Sequence, residues 1–446
     1  MGRVVRRLGG ALLAITAVYA TVAIAARYWP QTQQQRDAIA QMEQPTPPVR
    51  GRDGSDLAWL LDHDVPAGER QAAAAALRAF LERHAGQPGA SDRPDHPLRA
   101  FPELPGEAAA GTRPCDSARR CLDDVRARLP EVASELGQQR RRVELGREMA
   151  SYDGLRFGLS PSPHHPLQHA TRNSRLVRMH FAHEFLAGRK EQAVSGLCLD
   201  LAGWRRIASD SDTLVGSMLS LGAVRSDALL LAEMIAELPR DSDLPPSCDA
   251  ALAPTADAEL DSCPMLRYEY RYARSSLADP ADSDSVAARL LMASIGERHR
   301  DATLAMRMAG SCGTSALATA RADRSLTSRF RTESCSTFRL WIDPIGCTVL
   351  EASSVDAMRL SRYADRRTDA AAMLAGLRTV AWLRTLDVPE EQWDASLKSR
   401  PGSLGLRRTP TLSADHSTLS IPLLAEWQGT AIELAVKPQV ATPITK

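Results

Sequence analysis

Histidine is the residue type this chain concentrates most sharply. Five of its ten histidines, His164, His165, His169, His180 and His183, fall between positions 164 and 183, and Glu184 follows the last. Imidazole nitrogens and carboxylate oxygens are ligands that zinc takes. His180 and His183 stand one helical turn apart, so both can meet one ion if His165 or His169 reaches over from the preceding loop. The candidate metal set is therefore His165, His169, His180, His183 and Glu184. Its cofactor would be zinc and its activity that of a metal-dependent envelope hydrolase. The spacing is not that of a zinc protease, because the helix reads H-F-A-H-E rather than H-E-x-x-H or H-x-x-E-H. The competing expectation is a proline-flanked, histidine-rich loop entering a helix whose imidazoles face partners or solvent, with no metal and no cofactor.

Other reactive types are less ordered. Ser311-Cys312-Gly313 has a nucleophile at its centre but none of the flanking pattern of a cysteine protease. No G-x-S-x-G elbow, S-x-x-K pair, G-x-G-x-x-G turn or phosphate-binding loop occurs. Asp123-Asp124 and Glu390-Glu391 are neighbours, and adjacent helical side chains point apart, so neither pair makes an acid/base site. Enzymatic activity has no motif behind it. In RYEYRYAR, Arg267, Arg271 and Arg274 interleave with Tyr268, Tyr270 and Tyr272. That arrangement gives either a binding face for a glycan or small envelope ligand, or a half-buried helix with solvated arginines. Lysine plus arginine (55) balance aspartate plus glutamate (54), which leaves no field to attract nucleic acid.

Eight cysteines imply disulfides in an exported protein. Three pairs are close in sequence: Cys115 with Cys121, Cys248 with Cys263, and Cys335 with Cys347. Cys198 and Cys312 remain, as a long-range tie or, for Cys198 in its apolar helical pattern, as a buried thiol.

The elements that would position these residues are mostly helical. Alanine, leucine and arginine abound while aromatics make up 5%, a bias toward helix. Periodicity predicts helices over 56–63, from Pro66, over 116–151 with a break at Pro130, and over 176–188, 191–207 and 213–238. Further helices are expected at 256–277, 284–308, 315–326, 347–363 and 368–386. Asp210 or Ser211 is the expected cap of the helix that Pro239 stops. Short turns make consecutive helices antiparallel hairpins. No 34-residue period recurs, so no repeat family is indicated. Leu412, Leu419-Ser420-Ile421 and Ile432 to Val436 alternate in the strand period.

The N-terminus carries Arg3, Arg6 and Arg7 before an uncharged apolar run from Leu8 to Ala26, then Arg27, Tyr28 and Trp29. At 1.5 Å per residue the run spans about 28 Å, close to bilayer thickness. Ala23-Ile24-Ala25 would also serve a signal peptidase, so an anchor competes with a cleaved signal. The preceding arginines keep the N-terminus cytoplasmic under either reading.

The sequence thus predicts a mainly α protein. Residues 1–30 form a cytoplasmic stub and transmembrane anchor or signal peptide, and 31–55 a polar, proline-containing linker. Residues 56–407 form an irregular helical bundle or solenoid of antiparallel hairpins, with loops about 86–114, 154–168 and 239–255. Residues 408–446 form a small β-hairpin or three-stranded flap and a tail. The expected setting is single-pass in an inner membrane, touching lipid through the N-terminal helix, with the body periplasmic. Its expected role is non-enzymatic binding of other envelope proteins, as scaffold or holdase.

Overall fold

The computed structural model describes residues 30–438 apart from 86, 88–92, 107–113, 116–119, 163, 241, 279–296, 327–343 and 426–428, together with isolated positions before residue 30. The expected apolar span at Leu8–Ala26 and the Cys335–Cys347 pair lie outside what can be described.

The chain is mainly helical. Helix α1 (Gln33–Met42) is followed by α2 (Ser55–Ala58), α3 (Arg70–Arg83), α4 (Cys121–Ala127), α5 (Leu129–Gln138) and α6 (Arg140–Met149). Then come α7 (Ser174–Leu186), α8 (Lys190–Ser209), α9 (Leu214–Glu237), α10 (Cys248–Ala251), α11 (Asp257–Leu260) and α12 (Cys263–Ala278). The last helices are α13 (Glu297–Ala309), α14 (Thr314–Arg321), α15 (Pro344–Thr385) and α16 (Trp393–Lys398).

The core is built on α8. It packs against α7 on one side and α9 on the other, and α9 in turn packs against α15. Gly188 (φ +90°) turns α7 into α8, a left-handed conformation that suits glycine. Two more glycines allow close helix approach, Gly203 against backbone and Gly146 against the side chains of α7 and its cap. A Cβ on Gly203 would lie 1.8 Å from the Ala150 carbonyl oxygen, and one on Gly146 2.6 Å from Val177 Cγ2. Helix α9 is long and apolar enough to cross a membrane by length and composition, the one such helix among the described residues, and it is half buried inside the fold.

Strands β1 (Thr411–Leu412), β2 (Thr418–Pro422) and β3 (Ala431–Ala435) form a three-stranded antiparallel sheet in that order. Leu419, Ile421, Ile432 and Leu434 are buried, and the sheet covers α15 and α9. The C-terminal flap is thus the three-stranded form.

Four expectations need correction. The 31–55 stretch is not a free linker: Thr32 caps α1 in a capping box with Gln35, and Ala38 and Met42 are buried. The helices expected at 347–363 and 368–386 are one. The polar stretch that looked like a break is internal, for Ser361, Asp365, Arg367, Thr368 and Asp369 are all buried. Asp365 accepts from the Ser325 hydroxyl and the Leu326 amide, and Asp369 accepts from the Leu424 and Ala425 amides. Helix α9 is capped by Thr213, whose hydroxyl accepts from the Gly216 amide, rather than by Asp210 or Ser211.

The fourth concerns the cysteines. Cys115 pairs with Cys121, but Cys248 pairs with Cys198 and Cys263 with Cys312. After the proline-rich turn, α10 lies against α8, bringing Cys248 to Cys198. Helix α11 then carries the chain on, so Cys263 meets the turn after α13 instead.

Candidate functional site

The histidines do not gather. His164 and His169 are exposed. His165 turns inward to α3, with Nε2 3.4 Å from Glu82 Oε2. His180 lies against Phe181, ring centroids 5.5 Å apart. Burial depresses its pKa, although Glu184 opposes the shift. Glu184 takes two hydrogen bonds from Arg189, which hold its carboxyl below the ordinary range, and His183 stands 3.8 Å from it. Among the described residues no group of three or more His, Cys, Asp or Glu is close enough to hold a metal ion. Helical spacing does make His180 and His183 neighbours. The residues needed to complete a shell are not brought to them: His165 is held at α3 and His169 is exposed.

His165 does complete a serine–histidine–glutamate trio with Ser160 and Glu82. A hydrolytic triad needs one ring nitrogen on the hydroxyl and the other on the carboxylate. Here Nε2 faces both, 3.4 Å from Ser160 Oγ and 3.4 Å from Glu82. Nδ1 is buried without a hydrogen-bond partner among the described residues. The Ser160 hydroxyl donates straight to Glu82 Oε2 at 2.7 Å, and the Ser160 amide holds the Glu82 pKa down. The trio locks a turn onto α3. It is not set for nucleophilic attack.

An open cleft of about 510 Å³ lies where α6, α7 and α8 meet. Helix α6 supplies Glu144, Arg147 and Glu148, α7 supplies Phe181, and α8 supplies Leu199 and Asp200. The floor depends on Gly196, because a Cβ there would stand 2.4 Å from Phe181 Cε1. Arg147 lies over the Phe181 ring, 5.7 Å from its centroid, a cation–π contact. Glu148 is paired with Arg70, and Arg206, at the far edge, binds Asp153 at 2.9 Å. Leu199 is 59% exposed beside these charges.

Below the cleft floor, Asp200 faces Asp227 of α9. Both are buried, Asp227 completely. Trp204 Nε1 donates to Asp200 Oδ2 at 3.1 Å, and Arg178 Nη1 stands 3.6 Å from Asp227 Oδ1. Two buried carboxylates that act on each other raise the cost of ionising both. Burial pushes Asp200 up to about 6, and burial together with Asp200 pushes Asp227 well above the carboxylate range. Of the two acids Asp227 is the one whose protonated form burial favours more, with Arg178 beside it as counter-charge to the pair. Asp227 is closed off from solvent and is not among the residues that line the cleft. Periodicity hides these residues, since each reads as one polar position in an apolar helix. The signal available was an acid inside an apolar run, as at Leu197-Cys198-Leu199-Asp200-Leu201-Ala202.

No family model, no curated protein and no solved structure matches the chain.

Proposed function

We propose that this chain is a single-pass membrane protein whose helical body lies on the extracytoplasmic side and binds another envelope protein through the α6–α7–α8 cleft. The observation that carries the reading is Leu199. It is a large apolar side chain 59% exposed at a cleft with charged walls and an aromatic floor. Apolar centres rimmed by charge are how protein partners are held. The anchor rests on Arg3, Arg6 and Arg7 ahead of the apolar run Leu8–Ala26. The three disulfides agree with an oxidising compartment.

The test is site-specific photo-cross-linking in intact membranes. A photoreactive residue replacing Leu199 is expected to trap one discrete protein, and one replacing Lys398, exposed on α16 and outside the cleft lining, is not. Leu199→Glu, read by cross-linking from a retained cleft position such as Arg147, is expected to cut the yield at least tenfold. Equal trapping from both positions, or none from either, overturns the assignment of the cleft.

A further inference from the structure

The arginines of α12 that the sequence offers to an outside ligand are engaged by the chain itself. Arg267 Nε donates to the Gln41 carbonyl at 3.2 Å, and its Nη2 reaches Gln44 Oε1. Arg271 Nη2 donates to Thr46 Oγ1 at 3.0 Å, and Arg274 Nη1 to Glu43 Oε1 at 2.7 Å. The interleaved tyrosines are turned inward. Tyr268 packs edge-on against Phe157, centroids 5.5 Å apart, and Tyr270 is buried with Met42, Ala38 and Met308. No open aromatic face is left for a glycan there.

The same segment is held along its length. Arg156 donates twice to the Pro47 carbonyl, at 3.0 and 2.7 Å. The Arg50 amide donates to Asp210 Oδ2 at 3.2 Å, and the Arg52 amide to Asp153 Oδ2 at 2.9 Å. The Gly54 amide then donates to the Gly154 carbonyl at 3.0 Å. Residues 32–54 are therefore a strap, plugged at its start by Ala38 and Met42 and clamped by arginines beyond.

This has a consequence in distance. Only Pro30 and Gln31 separate Trp29, at the end of the proposed anchor, from the α1 cap Thr32. Three extended residues reach roughly 10 Å. Were the strap free, its two dozen or so residues would form a tether of about 25–30 Å root-mean-square length. We infer that the docked strap is a latch that holds the start of the body within about 10 Å of the bilayer. This rests on the anchor reading above. The strap contacts themselves do not.

The experiment uses full-length protein in vesicles of phosphatidylethanolamine and phosphatidylglycerol. It combines hydrogen exchange of residues 33–54, intact mass of the membrane-extracted chain, and energy transfer from a body fluorophore to a headgroup dye. The expected result is an uncleaved chain with α1 amides protected and the fluorophore close to the dye. R267A/R271A/R274A, and separately Met42→Ser, are expected to speed exchange over 33–46 at least tenfold and lower the transfer, leaving α8 and α9 protected. A ten-residue glycine–serine insert after Gln31 is expected to lower the transfer while the strap stays protected, which separates height from unfolding. Wild-type strap amides exchanging as freely as an unfolded peptide overturn the latch, whatever the state of the anchor. A protected strap on a chain cleaved after Ala25 overturns the anchor and the height inference with it.

Discussion

Asp227 is fully buried in the core between α8 and α9, and Arg178 Nη1 stands 3.6 Å from its Oδ1, while burial and the nearby Asp200 push its pKa well above the ordinary value. With Asp227 protonated, the charge count balances. Asp227→Asn preserves that state, so urea unfolding at pH 7 is expected to show a change within about 1 kcal/mol. Asp227→Ala removes the pairing group and leaves a void, at a cost of roughly 3 kcal/mol. If the asparagine variant loses as much as the alanine one, Asp227 is ionised in the folded protein and the account of the trio fails.

Glu233 extends the argument to pH. It is buried under α4, accepts the Leu122 amide at 2.9 Å, and burial pushes its pKa from 4.5 to about 7. An acid raised by folding keeps its proton in the folded chain after the unfolded chain has lost it. Its favourable contribution is therefore complete below pH 4.5 and disappears as pH rises through about 7. Glu233→Gln keeps an acceptor for Leu122 and cannot ionise. Thermal unfolding should show it near wild type at pH 4 and more stable at pH 8 by on the order of 2 kcal/mol. A variant weaker than wild type at pH 8 would mean that the charged form is the one the site favours.

Much of the helical framework could be read from periodicity, because α7, α8 and α9 bury repeating apolar faces and end at Gly188 and Pro239. The flap was legible for the same reason, since Leu419 and Ile421 alternate with Ser420. What escaped was every place where a polar residue works inside the fold. The stretch 364–367 falls between two expected helices because the partner of its buried Asp365, Leu326, lies far away in sequence. The strap read as a linker because Arg156, Arg267 and Arg271 are distant in sequence from the residues they hold. The histidine cluster stood out through one-dimensional proximity alone, while the cleft needs three helices to exist.

Cystine connectivity offers a direct check of topology. Non-reducing peptide mapping is expected to recover Cys198–Cys248 and Cys263–Cys312, with no Cys248–Cys263 peptide. The bridges close 50- and 49-residue separations, each worth about 4 kcal/mol on the chain-entropy argument, against roughly 2–3 kcal/mol for a loop as short as Cys115–Cys121. The double variant C198S/C248S should therefore lose more stability in urea than C115S/C121S. The opposite order would show that α10 is not tied across the core.

Gly203 carries the sharpest steric prediction. Helix α8 crosses the end of α6 so closely that a Cβ there would meet the Ala150 carbonyl oxygen at 1.8 Å, its carbonyl carbon at 2.7 Å and its Cα at 3.0 Å. These are backbone atoms, and no rotamer change relieves them, so the helices must part and the cleft above them must open. Gly203→Ala is expected to cost about 3 kcal/mol, the upper range for overpacking a well-packed core. Gly222, midway along α9, has nothing within 4 Å of the same added atom. Gly222→Ala should gain up to about 1 kcal/mol from helix propensity alone. Measuring both by chemical denaturation separates steric contact from propensity. Equal effects at the two sites would mean that α8 and α6 do not touch at Ala150, and the geometry of the cleft would go with that contact.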